Sequence, residues 1–315
     1  MFVKRPLIVT TLSSKDWPQI LGRGVLSALL FFGFSMGHPL WIMGAIFHQV
    51  PLFSVGLQYG VRNLLFSAFL SLSCVLVLNG ITHALVYGLF FVGPCFLITF
   101  QALRHHTSAK NKVRWYPSGR IVAYLTAYIV GLTVLLSSAL LLGDNLQVLQ
   151  QALSKGLAQY NKNVEALYQP FIAQLVLILP AFFASFLFIL TLINAIFAQN
   201  ILEKFKCNIR PTPTMGEFEL PWWPWWSIAG LGVLAFFGKG GIELISLNVL
   251  GALLNAFLME GLAIIHIYAT KYEQRNLFLW IFYTLMVVFG WLALPVLIVG
   301  IFEPWLNLKE RFGKI

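Results

Sequence analysis

Apolar segments long enough to cross a lipid bilayer follow one another along most of this 315-residue chain. A helix needs about 20 apolar residues to cross the hydrocarbon core, and it satisfies its backbone hydrogen bonds internally. The pattern predicts an all-α, polytopic transmembrane helical bundle that forms a single integral membrane domain, 1–315. We expect eight or nine spans, because His38 and Pro39 alone separate the first two segments and the seventh is short. The segments are 19–37, 39–59, 61–80, 81–103, 119–143, 170–198, 222–238, 246–269 and 277–302.

The composition excludes an ordinary soluble enzyme. Hydrophobic residues make up 59% of the chain and charged residues 10%, and the mean hydropathy is +0.81. Soluble domains carry about a quarter charged residues. The net charge of +10 lies in short clusters between apolar segments, which is typical of cytoplasmic loops. Because no basic helix carries interleaved polar contact residues, the lipid bilayer is the predicted partner and nucleic acid is not.

The distribution of lysine and arginine predicts how the chain is oriented in the membrane. The basic loops 104–120 and 200–219, and the short loop with Lys271 and Arg275, lie on one side if every intervening segment crosses the membrane. Four spans precede the first of these loops, so the amino terminus is expected in the cytoplasm. Nine spans would place the basic carboxyl tail from Lys309 onward outside. The side of that tail therefore stays open, together with the question of whether 222–238 fully spans.

The segment 144–168 has the spacing of an amphipathic helix. Its apolar residues recur at intervals of three and four, and Asp144 is placed to cap the first turn. Two interpretations are open. The helix lies on the outer membrane face, or it is an extramembrane helix that packs over the bundle.

The strongest indication of function is Glu260, which lies within an apolar stretch. A carboxyl group is costly in hydrocarbon, so it should face protein, water or a ligand. Asn248, Asn255 and His266 fall on nearly one line of the same predicted helix, about 120° away from Glu260. With Asn194 of the sixth segment, these residues are predicted to line a substrate cavity, and Glu260 could also bind a proton or cation. The alternative is that the asparagines bond between helices as packing contacts and that Glu260 is protonated or paired with a neighbour.

The first span contains small residues four positions apart, at Gly24, Ala28, Gly33 and Gly37. Such residues let two helices approach closely. They are candidates for an interface with a partner subunit, and the alternative is packing against another helix of this chain.

Catalytic and metal-binding signatures are missing from the sequence. Asp16 and Asp144 are the only aspartates and lie outside the predicted spans, and HExxH, P-loop and GxSxG motifs are lacking. The three cysteines are far apart. We therefore predict no enzymatic activity, no metal and no cofactor, with a membrane enzyme acting on lipid as the least favoured alternative.

Several short stretches together resemble the YybS-like family of predicted bacterial membrane proteins, a domain of unknown function, and its alphaproteobacterial branch in particular. The order of the motifs carries the resemblance, which extends over nearly the whole chain. The motifs are PLFSVGL at 51–57, WYPSGR at 115–120, NIRPTP at 208–213, LPWW at 220–223, EGLAIIH at 260–266 and WLNLKER at 305–311.

The resemblance implies a fold similar to the S-components of energy-coupling-factor transporters. Those small helical bundles capture vitamins or metal ions and pair with a transmembrane coupling subunit and ATPases. The expected function is thus a small-solute binding or transport subunit of the bacterial inner membrane, with unknown substrate. The alternative is a structural or assembly subunit of another membrane complex, without solute binding.

Overall fold

The computed structural model describes residues 13–14, 16–33, 44–107, 113–158 and 164–313, and their secondary structure is helical apart from one short hairpin, with turns and loops between the elements. The all-α prediction is confirmed. Strands β1 (His105–Thr107) and β2 (Val113–Trp115) pair antiparallel with His105 opposite Trp115. The helices are α1 (Trp17–Gly33), α2 (Gln49–Tyr59), α3 (Val61–Asn79), α4 (Ile81–Tyr87), α5 (Gly93–Ala102), α6 (Ser118–Leu140), α7 (Asn145–Ala158), α8 (Val164–Lys204), α9 (Trp223–Phe237), α10 (Gly241–Ala269), α11 (Arg275–Val288), α12 (Ala293–Leu306) and α13 (Leu308–Gly313).

The chain divides into two compact units. Unit 1 comprises Met1–Ile121 and Ile189–Pro213, and unit 2 comprises Val122–Phe188 and Thr214–Ile315. The prediction that both belong to a single membrane domain stays a prediction.

Among the residues that the structure describes, five helical segments are long and apolar enough to cross a membrane: Val61–Asn79, Ile81–Ala102, Ser118–Leu140, Gln169–Lys204 and Gly241–Ala269. They coincide with five of the predicted spans and expose large apolar side chains, such as Phe69 at 73% and Val77 at 83%. The expected count of eight or nine spans is not confirmed. Within the described ranges, helices α1, α2 and α9 have 17, 11 and 15 residues, fewer than the roughly 20 that a span requires.

The predicted span 277–302 is not one straight helix. The direction of the chain changes by 118° between α11 and the segment Gly290–Leu306, so this pair is a broken span or a re-entrant loop. The backbone leaves the helical region at Phe289, with φ −111° and ψ 77°. Pro295 lies in the first turn of α12, where its missing N–H breaks no helix bond.

The carboxyl tail folds back along α10. Helix α12 ends at Asn307 in a left-handed conformation with φ 48°, and α13 follows. The Phe312 ring lies 5.3 Å from the Tyr268 ring and 4.7 Å from the Lys271 ammonium, measured to the ring centroid. The tail therefore lies at the same end of unit 2 as the loop that follows α10, a point that counting spans left open.

The predicted amphipathic segment 144–168 is divided between two helices. Its first half forms α7, and the residues from Val164 onward belong to α8, which has 41 residues. The position of α7 on a membrane surface stays a prediction.

The small residues of the first span are buried inside unit 1. A Cβ built on Gly24 would lie 2.5 Å from the carbonyl oxygen of Ser67 on α3, so the two backbones approach directly. Ala28 and Gly33 are buried as well, and Gly37 lies outside the described residues. These contacts favour packing within the chain over an interface with a partner.

Candidate functional site

Glu260 is paired with a lysine from the carboxyl tail. The Lys309 ammonium donates to Oε1 of Glu260 and to the carbonyl oxygen of Phe218, and the backbone N–H of Leu220 donates to Oε2 over 3.2 Å. The Glu260 side chain is 3% exposed and the Lys309 side chain 15%. The carboxylate therefore faces inward, as expected, and the structure contains the paired arrangement that the sequence left as an alternative.

A second carboxylate fixes the position of Lys309. Glu303 of α12 is buried and accepts the backbone N–H groups of Leu308 and Lys309, each over 3.0 Å. These donors belong to the first turn of α13, so Glu303 caps that helix. The cluster therefore holds two carboxylates and one ammonium.

A run of tryptophans at the start of α9 contacts α12 and α10 near this cluster. The Trp225 indole N–H donates to the carbonyl oxygen of Ile301 over 2.8 Å, and its ring packs 5.0 Å from that of Phe257. Trp225 is buried, whereas Trp222 and Trp226 are exposed. Exposed indoles beside a buried one suit a helix end near the headgroup layer.

Asn248 and Asn255 bond to α8 within unit 2. The Asn248 carboxamide donates to the Leu177 carbonyl over 2.7 Å and accepts from the Ala181 N–H over 2.9 Å. Those two backbone groups are a donor–acceptor pair of a regular α-helix, and Pro180, which lies between them inside α8, has no N–H to donate. Asn255 donates to the Ser185 hydroxyl over 2.9 Å. Both contacts are those of the packing alternative, and a role in binding substrate stays a prediction.

His266 lies apart from this stripe of contacts. Its Nε2 is 2.8 Å from the hydroxyl of Tyr283 on α11, and the ring is half-buried. It takes no part in the Glu260 cluster.

Asn194 belongs to unit 1 and lies in a different polar centre. Its amide nitrogen donates to the carbonyl oxygens of Ile46 and Leu190. One turn away on α8, the Thr191 hydroxyl accepts from the Gln49 amide over 3.4 Å, and the same amide donates to the Phe91 carbonyl over 3.0 Å. The Phe91 carbonyl lies in the π-helical turn Gly88–Val92 that precedes Pro94, a type of helix distortion frequent at functional sites.

His48 joins this centre to a cluster of aromatic rings. Its Nδ1 lies 2.6 Å from the Ala45 carbonyl and carries the proton, because a carbonyl only accepts. The imidazole packs edge-on to Phe91 at 4.6 Å, and Phe31 lies 4.6 Å from Tyr87 between centroids. The Tyr87 hydroxyl contacts the hydroxyls of Ser27 and Ser71 at 2.6 and 2.7 Å.

Three buried acceptor atoms in this part of unit 1 have no hydrogen-bond partner within the described part of the chain. They are Nε2 of His48, Oε1 of Gln49 and Oδ1 of Asn194. The side chains are 2%, 0% and 0% exposed. An unpaired buried polar group costs about 1–3 kcal/mol, so such groups in native proteins call for a water, ion or ligand. Acceptors of this kind bind hydrogen-bond donors or cations.

The sequence predicted only some of the residues in these two polar clusters. His48 and Gln49 are adjacent polar residues within the predicted span 39–59, and this signal was available in the sequence. Lys309 was missed because its tail is not apolar, and nothing local relates it to Glu260.

Two further features bear on ligands. No group of three or more His, Cys, Asp and Glu residues that could hold a metal ion occurs in the described ranges. An open polar cleft of about 230 Å³ lies on unit 2, and it includes none of the predicted site residues. Its lining is Gln147, Gln150, Gln151, Ser154, Lys155 and Gln169.

Comparison with known proteins gives one match. No curated protein and no solved structure matches the chain. A family model described as a predicted membrane protein, DUF2232, matches residues 25–303. Because that match covers most of the chain, the protein belongs to the DUF2232 family of predicted membrane proteins, whose function is unknown.

Proposed function

We propose that this protein is the solute-binding subunit of a membrane transporter, with its binding site in unit 1 and no chemical step of its own. The site comprises Gln49, Asn194 and His48. The observation that carries the proposal is the set of three buried acceptor atoms that lack a donor within the described residues. The proposal moves the site away from Glu260, because the Glu260 carboxylate already has Lys309 and Leu220 as partners.

The ligand class follows from the acceptor atoms that are assigned to the site. Two amide oxygens and one imidazole nitrogen accept hydrogen bonds, so the solute is small and presents donors or a positive charge. The rings of Phe31, Tyr87 and Phe91 supply an apolar flank. The helices that contribute residues come from distant parts of the sequence, and pockets in bundles form between such helices.

Four further features belong to the proposed transporter function. These are the YybS-like relationship, an S-component-like fold, a bacterial inner-membrane location with a cytoplasmic amino terminus, and eight or nine spans that count α1, α2 and α9. The sequence contains no ATPase motif. Energy would therefore come from a coupling subunit with ATPases or from an ion gradient. Membership of a membrane protein family and the exposed apolar helix faces support this setting.

The rival function is a structural or assembly subunit. Asn248 and Asn255 favour it, because both use their amides to join α10 to α8. In that role the unpaired acceptors of unit 1 would hold ordered water.

Thermal unfolding of the purified protein with a panel of solutes separates the two functions. The panel contains monovalent cations, small amines, amino acids and water-soluble vitamins. A ligand at 100 times its Kd stabilises the folded state by about 2.7 kcal/mol, which raises Tm measurably. We expect one class to raise Tm, and the increase to be lost in Gln49→Leu and Asn194→Leu.

Asn248→Leu is the matched control, since it removes a buried asparagine of unit 2 and should keep the ligand response. A panel without any increase in Tm would reject the binding function in favour of the structural one. An increase that persists in Asn194→Leu and Gln49→Leu would place the ligand elsewhere.

A further inference from the structure

We propose that Glu260 and Phe218 form a binding site for a primary ammonium group, which Lys309 fills as a tethered occupant and which a free primary amine can also enter. The site lies wholly in unit 2. It is independent of the binding function proposed for unit 1.

The geometry of the site suits an ammonium group. A Lys ammonium has three N–H donors and no acceptor. It meets Oε1 of Glu260 and the carbonyl oxygen of Phe218, and it lies 5.7 Å from the centroid of the Phe218 ring. A carboxylate, a carbonyl and an aromatic face thus surround it, and each attracts a cation.

The carboxylates at the site favour the binding of a cation. Glu303 is buried nearby and binds the backbone N–H groups of Leu308 and Lys309. Without the Lys309 ammonium, Glu260 would keep only the Leu220 N–H as a partner among the described residues. A buried carboxylate that loses its counter-ion is strongly destabilising, so the emptied site favours any cation that fits.

The groups that form the site come from segments other than the tail. Glu260 belongs to α10, and Phe218 and Leu220 belong to the segment before α9. The tail contributes the ammonium through α13, a helix of six residues that starts after the left-handed Asn307. The Lys309 side chain is also more exposed than that of Glu260, at 15% against 3%. The lysine stem therefore reaches the surface, and we expect a small amine to take its place once the stem is removed.

Chemical rescue tests the proposal. Lys309→Ala shortens the side chain and leaves the site without its ammonium. We expect its Tm to fall by about 5–10 °C relative to the unsubstituted chain. Ethylammonium should restore most of that loss in a saturable manner, whereas tetramethylammonium at equal ionic strength should not, because it has no N–H to donate.

The matched control is the double variant Lys309→Ala with Glu260→Gln. It lacks the unpaired carboxylate, so it should be more stable than Lys309→Ala alone and should not respond to ethylammonium. If Lys309→Ala folds only when ethylammonium is present and unfolds on its removal, that result supports the site equally. Failure of ethylammonium to stabilise Lys309→Ala, an equal effect of tetramethylammonium, or an undiminished response in the double variant would each overturn it.

Discussion

Gly300 of α12 lies against the backbone of α10 beside Gly261. A Cβ built on Gly300 would lie 2.7 Å from the Gly261 nitrogen and 2.0 Å from the Phe257 carbonyl oxygen. A Cβ built on Gly261 would lie 2.0 Å from the Val296 carbonyl oxygen. The two helices are therefore in backbone contact, which a side chain at either position would prevent. This contact brings Glu303 and the following tail to Glu260.

The first prediction concerns this crossing. Gly300→Ala should destabilise the protein by about 1–3 kcal/mol, because the new methyl group meets backbone atoms that cannot move aside. Thermal unfolding measures the loss. Gly230→Ala is the control: nothing lies within 4 Å of its Cβ, and alanine favours the helix. Equal stability of the two variants would contradict the close crossing.

The second prediction tests whether the small residues of α1 serve this chain or a partner. Gly24→Ala should lower stability by about 1–3 kcal/mol, since its Cβ would lie 2.5 Å from the Ser67 carbonyl oxygen. Gly22→Ala, two residues earlier on the same helix, has open space around its Cβ and should be neutral or slightly stabilising. Thermal unfolding of the two purified variants measures both effects on stability. A harmless Gly24→Ala would instead favour an interface with a partner.

The third prediction concerns the contact of Asn248 with α8 beside Pro180. Asn248→Leu removes a donor to Leu177 and an acceptor from Ala181 and leaves both backbone groups unpaired beside Pro180. We expect a loss of about 1–2 kcal/mol, which is large for a polar contact between membrane helices. Unfolding by denaturant would report it. A variant as stable as the unsubstituted chain would show that α8 closes its own bond there.

The fourth prediction is that the carboxyl tail lies on the same side of the membrane as the loop that follows α10. Because Phe312 packs on Tyr268 and Lys271, cysteines introduced by Phe312→Cys and Lys271→Cys should react with an impermeant maleimide from the same side of oriented vesicles. The background replaces Cys74, Cys95 and Cys207. Lys239→Cys precedes α10 at its other end and should react only from the opposite side. If Phe312→Cys and Lys239→Cys reacted from the same side, the tail would not fold back along α10.

Much of the fold was predictable because hydropathy is a local property. Segments such as 61–80 and 119–143 carry enough apolar residues in a row to form spans whatever surrounds them. The inward position of Glu260 was predictable for the same reason, since a carboxyl group in an apolar helix has to leave the lipid. The break at Phe289 was not predictable, because the residues around it are apolar and Gly290 beside it is one of many glycines in this chain, most of which lie inside helices.

The candidate sites were likewise predictable only in part. The sequence by itself determined that the chain is a helical membrane protein and that amides and a carboxylate must point inward. Only the tertiary structure decided their partners. Glu260 and Lys309 are 49 residues apart, and Asn194 and Ile46 are 148 apart. Hydrogen bonds over such separations depend on how helices pack, and the periodicity of a single helix contains no information about which neighbour it meets.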